Sequence, residues 1–238
     1  MQSLLETLQS AGLFLVFLLG RFLLLLLVLA LLTVVFLAGL VLVRAVAGVR
    51  RRALGFARVD GLLWRRGLAY APGHTWLDQR RVAGIRIGVD DLAQRLLARV
   101  TAVKLPEPGA TLRRGDPAVE ILCGRQRRAS IPSPIDGVVV AVNDRVSRDP
   151  TLVNRDPYAR GWLFAVTSSG GIQTPIVVGD RARAWFSGET HRLSHFFERE
   201  LGLAAADGGE LLAPGPALLT DDQWRTATDA FLRPPAEQ

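Results

Sequence analysis

The sequence predicts a mostly β (α+β) domain that follows an N-terminal transmembrane helix and ends in C-terminal helices. Three observations indicate this fold class. Residues 12–43 are apolar except for Arg21 and Thr33. Beyond residue 69, short apolar runs are separated by proline and glycine, which is typical of strands joined by turns. After residue 186, apolar side chains recur at the spacing of amphipathic helices.

The apolar stretch 22–43 is long enough to cross about 30 Å of hydrocarbon as a helix, and Arg21 can extend its guanidinium to the outer interface. The N-terminal flank carries Glu6 as its one charged side chain, whereas four arginines follow the stretch: Arg44, Arg50, Arg51 and Arg52. The positive-inside rule therefore predicts a single-pass anchor in the inner (cytoplasmic) membrane, with the soluble domain facing the cytoplasm. A cleaved signal peptide is disfavoured because the run is too long and arginines follow it.

Composition limits the functions open to the chain. The formal net charge is +7 and the pI is about 11.0, which fits a protein lying near an anionic lipid surface. One cysteine excludes an internal disulfide and an all-cysteine zinc site. Nucleic acid is not an expected partner because no recognition motif is present and aromatic residues do not interleave with the basic run.

The pattern divides the chain into four segments. They are an N-terminal segment with the transmembrane helix (1–43, with the helix at about 22–43), a basic juxtamembrane connector (44–69), a β domain (70–166), and an inserted strand and amphipathic helix followed by a C-terminal helix (167–238).

Within the β domain, residues 82–89 and 100–105 alternate as strands do, and 115–137 indicates two strands around a tight turn. Between the first two strands, Leu92, Leu96 and Leu97 have helical spacing, and Asp90 or Asp91 can cap that helix. Residues 138–142 form a further apolar strand after Asp136-Gly137, a hairpin-type pair.

The last segment predicts one strand and two helices. Residues 172–178 have strand character. Residues 187–201 form an amphipathic helix with one apolar side: Leu193, Phe196, Phe197 and Leu201. Thr220-Asp221-Asp222-Gln223 is a capping box that opens a final helix, whose apolar face is Trp224, Ala227 and Phe231.

His191 and His195 lie four residues apart on the polar side of the amphipathic helix, and Glu198 follows one turn later. Such spacing can bind zinc, but the remaining ligands are missing, so no metal site is predicted. The aromatic pair Phe196 and Phe197 is expected to be a core face or a partner-binding face.

Five tracts resemble the H protein of the glycine cleavage system. They are Tyr70-(x3)-His74-Thr75-Trp76, Ile87-Gly88-Val89-Asp90-Asp91-Leu92-Ala93-Gln94, Lys104-Leu105-Pro106-Glu107-Pro108-Gly109, Ser133-Pro134-Ile135-Asp136-Gly137 through Val142-Asn143, and Asp149-Pro150-Thr151-Leu152-Val153-Asn154-Arg155-Asp156-Pro157-Tyr158-Ala159-Arg160-Gly161-Trp162-Leu163-Phe164. The resemblance implies that residues 70–166 form a barrel-sandwich hybrid of the biotinyl/lipoyl-carrier type. It also implies a carrier or scaffold without an active site of its own.

In that family a lipoyl group hangs from a lysine at a tight turn, but the only lysine here is Lys104, in a predicted strand. The family's lysine position falls on a different residue depending on whether the alignment starts from Gly115, Pro134 or Glu120: Arg125, Gln126 or Cys123. Arginine does not replace lysine because its guanidinium is never a free nucleophile at working pH. Lipoate is implied by the family, but no cofactor is expected because the attachment lysine is absent.

The same turn carries two further candidate sites. The Cys123 thiol could accept an acyl or redox partner if nearby arginines stabilise its thiolate; alternatively it packs in a strand. The basic cluster Arg125, Arg127 and Arg128 could bind an acidic partner or lipid headgroups, or could be a solvated turn.

These observations predict a non-enzymatic, non-lipoylated docking or scaffold module at the cytoplasmic membrane face. Its expected partners are the lipid bilayer and other proteins, either glycine-cleavage-type enzymes or a membrane complex. One alternative is a functional lipoyl-type carrier of the glycine cleavage system. A second is a periplasmic adaptor of a transport system, although such adaptors insert a long helical hairpin at the carrier turn.

Overall fold

The computed structural model describes residues 2–53, 55–79, 84–124, 127–168, 170–172, 174–200 and 219–233. The chain separates into two compact units, Met1–Leu54 and Gly55–Gln238. The first unit is helix α1 (Gln2–Ala53). Within it, Leu18–Val46 is a span of 29 residues with mean hydropathy 3.2 and solvent-exposed side chains. This span includes the predicted 22–43 and is long and apolar enough to cross a membrane.

The second unit contains eleven described strands and five described helices. The strands are β1 Phe56–Val59, β2 Leu62–Arg65, β3 Ala69–Ala71, β4 Thr75–Asp78, β5 Ile85–Val89, β6 Val100–Lys104, β7 Thr111–Leu112, β8 Pro117–Cys123, β9 Arg127–Pro132, β10 Gly137–Val142 and β11 Phe164–Thr167. The helices are α2 Asp91–Leu97, α3 Asp144–Arg148, α4 Leu152–Arg155, α5 Gly179–Glu200 and α6 Asp221–Leu232.

The described strands form antiparallel sheets. One sheet has the order β3-β4-β5-β11-β10-β7, a second has the order β6-β8-β9, and β1 pairs with β2. Apolar side chains from both larger sheets belong to one buried cluster, among them Ile87, Phe164 and Val166 from the first and Ile121 and Ile131 from the second. The predicted mostly β (α+β), sandwich-like fold class is confirmed.

Local capping signals explain where two helices begin. Asp90 precedes α2, and its Oδ1 accepts hydrogen bonds from Leu92 N at 3.0 Å and Ala93 N at 2.9 Å. Thr220 and Gln223 form the reciprocal capping box that opens α6. Both predicted helix starts are confirmed. They could be predicted from the sequence because each capping contact joins residues that lie within four positions of one another.

The structure differs from the sequence-based expectation in the predicted connector 44–69. Helix α1 continues to Ala53, and the hairpin β1–β2 occupies the later part of the interval. Val59, Leu62, Trp64 and Leu68 are buried in the core of the second unit. The neighbouring arginines obscure this apolar alternation in the sequence. In the structure the alternation gives the β1–β2 hairpin one apolar face.

The predicted strand 172–178 is wrong for the described residues of that stretch. A single bridge joins Tyr70 and Val177, with N–O distances of 3.0 and 2.9 Å. Pro175 has no N–H to continue a ladder. Helix α5 then begins at Gly179, eight residues before the predicted start at Ser187. Strand β5 begins at Ile85, and position 82 of its predicted range lies outside the described residues.

Candidate functional site

The β8–β9 hairpin is the candidate site, since the family resemblance places the carrier position there. Its strands pair in antiparallel register up to Cys123 opposite Arg127. The Gly124 N–H donates to the Arg99 carbonyl at 2.9 Å, which joins the hairpin end to the start of β6. Arg125 and Gln126 lie outside the described residues. Only positions 124–126 separate the strands, too few for the helical hairpin of a periplasmic adaptor.

Cys123 faces the core at the end of β8 and is 1 % exposed. Burial disfavours the charged thiolate and raises the pKa of Cys123 to about 12, although the nearby Arg127 acts in the opposite direction. The thiol is therefore neutral at physiological pH. This environment supports the packed-residue interpretation and gives the thiol neither access nor activation for acyl or redox chemistry.

Arg127 lies under helix α6, not in a solvated basic cluster. Its Nε donates to Asp221 Oδ1 at 2.8 Å, and its Nη2 donates to the Leu219 carbonyl at 2.6 Å. Its guanidinium carbon lies 5.5 Å from the centre of the Trp224 ring. These contacts fix the first residue of β9 to the start of α6, and they correct the prediction that Arg127 contributes to an interaction surface.

The remaining basic residues of the site lie on the sheet surface. Arg128 is exposed, and its Nη1 donates to Glu120 Oε1 at 2.9 Å. Lys104, at the end of β6, stands opposite Glu120 in the β6–β8 register. Both cations are thus strand residues on the outer face of a sheet. Among the described residues, Arg127 and Arg128 do not form one basic patch, because one is buried and the other is paired outside.

A groove of about 670 Å³ lies beside the hairpin. Its lining includes apolar residues from the sheet and from α6, among them Leu112, Ala118, Ala129 and Leu232. Charged residues also line it, among them Lys104, Glu120 and Arg128. The groove can bury apolar surface of a ligand.

The structure also describes the surroundings of two other predicted pairs, the aromatic pair Phe196 and Phe197 and the histidine pair His191 and His195. Phe197 is buried, and the partly buried Phe196 packs edge-on against Phe231 of α6 at 5.5 Å, so both rings take part in core packing; a role in partner binding stays a prediction. His191 and His195 are exposed, and His195 Nδ1 lies 3.8 Å from a Glu198 carboxylate oxygen. Among the described residues, no group of three or more His, Cys, Asp or Glu side chains is arranged so that it could hold a metal ion.

A buried charged cluster connects α5 to the domain, and the sequence alone did not indicate it. His74 Nδ1 lies 2.8 Å from Asp90 Oδ2, and Nε2 lies 3.2 Å from Glu189 Oε2. Burial alone would lower the pKa of His74, but the charge of Asp90 and hydrogen bonds to both carboxylates raise it to about 9. His74 is therefore an imidazolium at neutral pH. No sequence signal links Glu189 to a histidine that precedes it by 115 positions.

Comparisons with known protein sequences support the resemblance. A family model described as "Glycine cleavage H-protein" matches residues 68–174. The glycine cleavage system H proteins of Escherichia coli O127:H6 and Salmonella arizonae are each 38% identical over 102 residues, which cover 43% of this chain and 78% of the relative. A crystal structure of a glycine cleavage system H protein from Mycobacterium marinum is 25% identical, with a TM-score of 0.46, and covers 52% of this chain and 99% of that chain.

Proposed function

We propose a function from one premise: the chain belongs to the glycine cleavage H-protein family. The proposed function is a membrane-anchored docking or scaffold module that carries no lipoyl group and acts at the cytoplasmic face of the inner membrane. One observation carries the proposal. The β8–β9 hairpin has no lysine in its sequence, and Lys104, the only lysine of the chain, lies in β6.

The residues present do not fit the lipoyl group that the family implies. Lipoylation requires a lysine amine at an exposed turn. Cys123 is buried with a neutral thiol, and Arg127 is buried under α6. A guanidinium is not a nucleophile at working pH. No step of the proposed function therefore passes through lipoate.

The contacts of Arg127 favour a docking role. The first residue of β9 is held by hydrogen bonds to Asp221 of α6 and to the Leu219 carbonyl that precedes it, which gives the hairpin a fixed surface beside α6. The groove beside the hairpin offers a surface on which apolar and charged side chains are mixed. Glycine-cleavage-type enzymes or a membrane complex are the proposed protein partners.

Membrane anchoring through α1 is part of the same proposal. The apolar span Leu18–Val46, of 29 residues, is longer than the roughly 20 that a bilayer requires. We infer that the second unit lies on the cytoplasmic side, because arginines follow the span and the positive-inside rule favours that orientation. We expect the full chain to remain in the membrane pellet after alkaline carbonate extraction, and a reporter fused after Gln238 to be active only in the cytoplasm. Release into the supernatant would contradict the anchor, and a periplasmic reporter signal would contradict the orientation.

Intact-mass measurement tests the absence of the prosthetic group. The full chain is expressed with a lipoate ligase and added lipoate, beside the Escherichia coli H protein as a positive control for ligase activity. We expect the control to gain a lipoyl adduct and this chain to keep the mass of its unmodified sequence. A lipoyl or octanoyl adduct on the native chain would end the proposal.

Lysine variants separate a missing amine from an inaccessible turn. Arg125→Lys and Gln126→Lys place an amine at two of the three positions to which the family's lysine aligns, and Arg128→Lys is the matched control in an adjacent strand position. An adduct on a turn variant alone would show that the ligase still recognises the hairpin and that the missing amine explains its absence. Adducts on all three variants would show non-specific acylation.

A working glycine cleavage carrier is the second candidate, and the 38% identity to H proteins over 102 residues favours it. A glycine–bicarbonate exchange assay with the full chain and a cognate glycine decarboxylase distinguishes the two functions. The scaffold proposal expects exchange no faster than without the chain. Exchange that rises with the concentration of the chain would favour the carrier.

A further inference from the structure

Helix α5 is docked on the β domain around a buried histidine. His74 is 1 % exposed and lies in the turn between β3 and β4, with a backbone φ of 57°. The Trp185 ring of α5 lies 5.0 Å from the imidazole, and the Phe231 ring of α6 lies 6.2 Å away. The imidazole is therefore enclosed by one strand turn and two helices, and its two nitrogens point to carboxylates of different elements.

The two carboxylates are held unequally. Asp90 caps α2 through hydrogen bonds from Leu92 N and Ala93 N, so it is fixed independently of the histidine. Glu189 belongs to α5, and its Oε2 also accepts a hydrogen bond from Arg192 Nε at 2.8 Å and forms an ion pair with Arg192 Nη2 at 2.6 Å. Arg192 Nη1 in turn donates to the Ala230 carbonyl of α6 at 3.2 Å. The Glu189 carboxylate thus connects His74 directly to α5 and, through Arg192, to α6.

The proton count of the imidazole decides whether both contacts can exist. An imidazolium has two N–H groups and donates to Asp90 and Glu189 together. A neutral imidazole has one N–H, so one carboxylate must face a nitrogen lone pair in a site with little water. Because Asp90 keeps its capping contacts, the contact to Glu189 is the one that becomes repulsive.

We propose that α5 is a detachable element whose docking depends on the proton carried by His74, and that loss of this proton releases the central part of α5 while the β sheets stay folded. The charged groups facing the imidazole are Asp90 from the α2 cap and Glu189, backed by Arg192, from α5. The Tyr70 phenol of β3 packs nearby against Phe186 and stays neutral, because burial and the charge of Asp90 raise its pKa. This inference stands apart from the proposed scaffold function.

Amide hydrogen exchange on the full chain in detergent at neutral pH tests the proposal. Glu189→Gln removes the charge with little change of shape, and Glu198→Gln is the matched control because Glu198 is an exposed carboxylate on the same helix. We expect Glu189→Gln to reduce protection of α5 amides by roughly tenfold or more, the effect of losing one charged hydrogen bond. Peptides from β4 and β5 should keep their protection, and Glu198→Gln should resemble the wild type.

A titration of the His74 ring signals by NMR provides the second measurement. In the wild type the midpoint should lie near the raised pKa of about 9, and Glu189→Gln should lower it by at least about one unit. His74→Asn is neutral at every pH and is tolerated at positive φ, so it should give weak, pH-independent protection of α5. Unchanged α5 protection in Glu189→Gln, equal loss of protection in the sheets, or an unshifted His74 midpoint would each overturn the proposal.

Discussion

Replacing Arg127 by methionine tests whether the hairpin is fixed to α6. Methionine keeps much of the apolar stem beside Trp224 but removes the hydrogen bonds to Asp221 and to the Leu219 carbonyl. The bond to the buried Leu219 carbonyl is a charged one, and losing it costs about 1.5–3 kcal/mol. Asp221 is 69% exposed, so that ion pair adds only about 0–1 kcal/mol. We therefore expect Arg127→Met to lower the free energy of unfolding by about 1.5–4 kcal/mol.

Denaturant unfolding of the full chain in detergent, followed by tryptophan fluorescence, measures this difference. Arg128→Met is the matched control because Arg128 and its partner Glu120 are 74% and 43% exposed. The control should change stability by about 1 kcal/mol or less. Equal effects of the two variants would refute the reasoning, because they would mean that the buried guanidinium stabilises the fold no more than a surface charge.

Three further predictions concern the core. In the folded chain the pKa of His74 is about 9, above its ordinary value of 6.5. The charged imidazole therefore stabilises the fold by up to about 3 kcal/mol below pH 6.5, and this contribution disappears as the pH rises through 9. Unfolding free energies measured across this pH range should fall accordingly. Gly88→Ala would place a Cβ 2.5 Å from the buried Trp76 ring and should cost about 1–3 kcal/mol or more, whereas Gly188→Ala, with open space in α5, should stabilise by about 0.5–1 kcal/mol; thermal unfolding compares them. Cys123 should resist iodoacetamide in the native chain and react after denaturation, as mass spectrometry would show; fast native alkylation would contradict its burial.

The strands and helices that sequence reasoning predicted correctly are those with local signals. The caps of α2 and α6 use side chains within four residues of the helix start, and the two strands of the hairpin follow from apolar alternation between turn residues. The same reasoning missed β1 and β2 because arginines surround their short apolar runs. Sequence reasoning also predicted a strand over 172–178. It did so because the apolar residues of a strand and those of a loop that packs against the core look alike in a short stretch of sequence.

The sequence by itself determined the family resemblance, the apolar anchor candidate and the single lysine, because these are properties of residue type and order. Only the tertiary structure decided that Arg127 is buried, that Phe197 packs internally and that His74 faces Glu189. The physical reason is that the exposure and charge state of a polar side chain depend on partners far along the chain. Arg127 contacts a residue 94 positions later, and His74 a residue 115 positions later. No local pattern encodes such distances, so these contacts appear only when the sheets and helices have packed together.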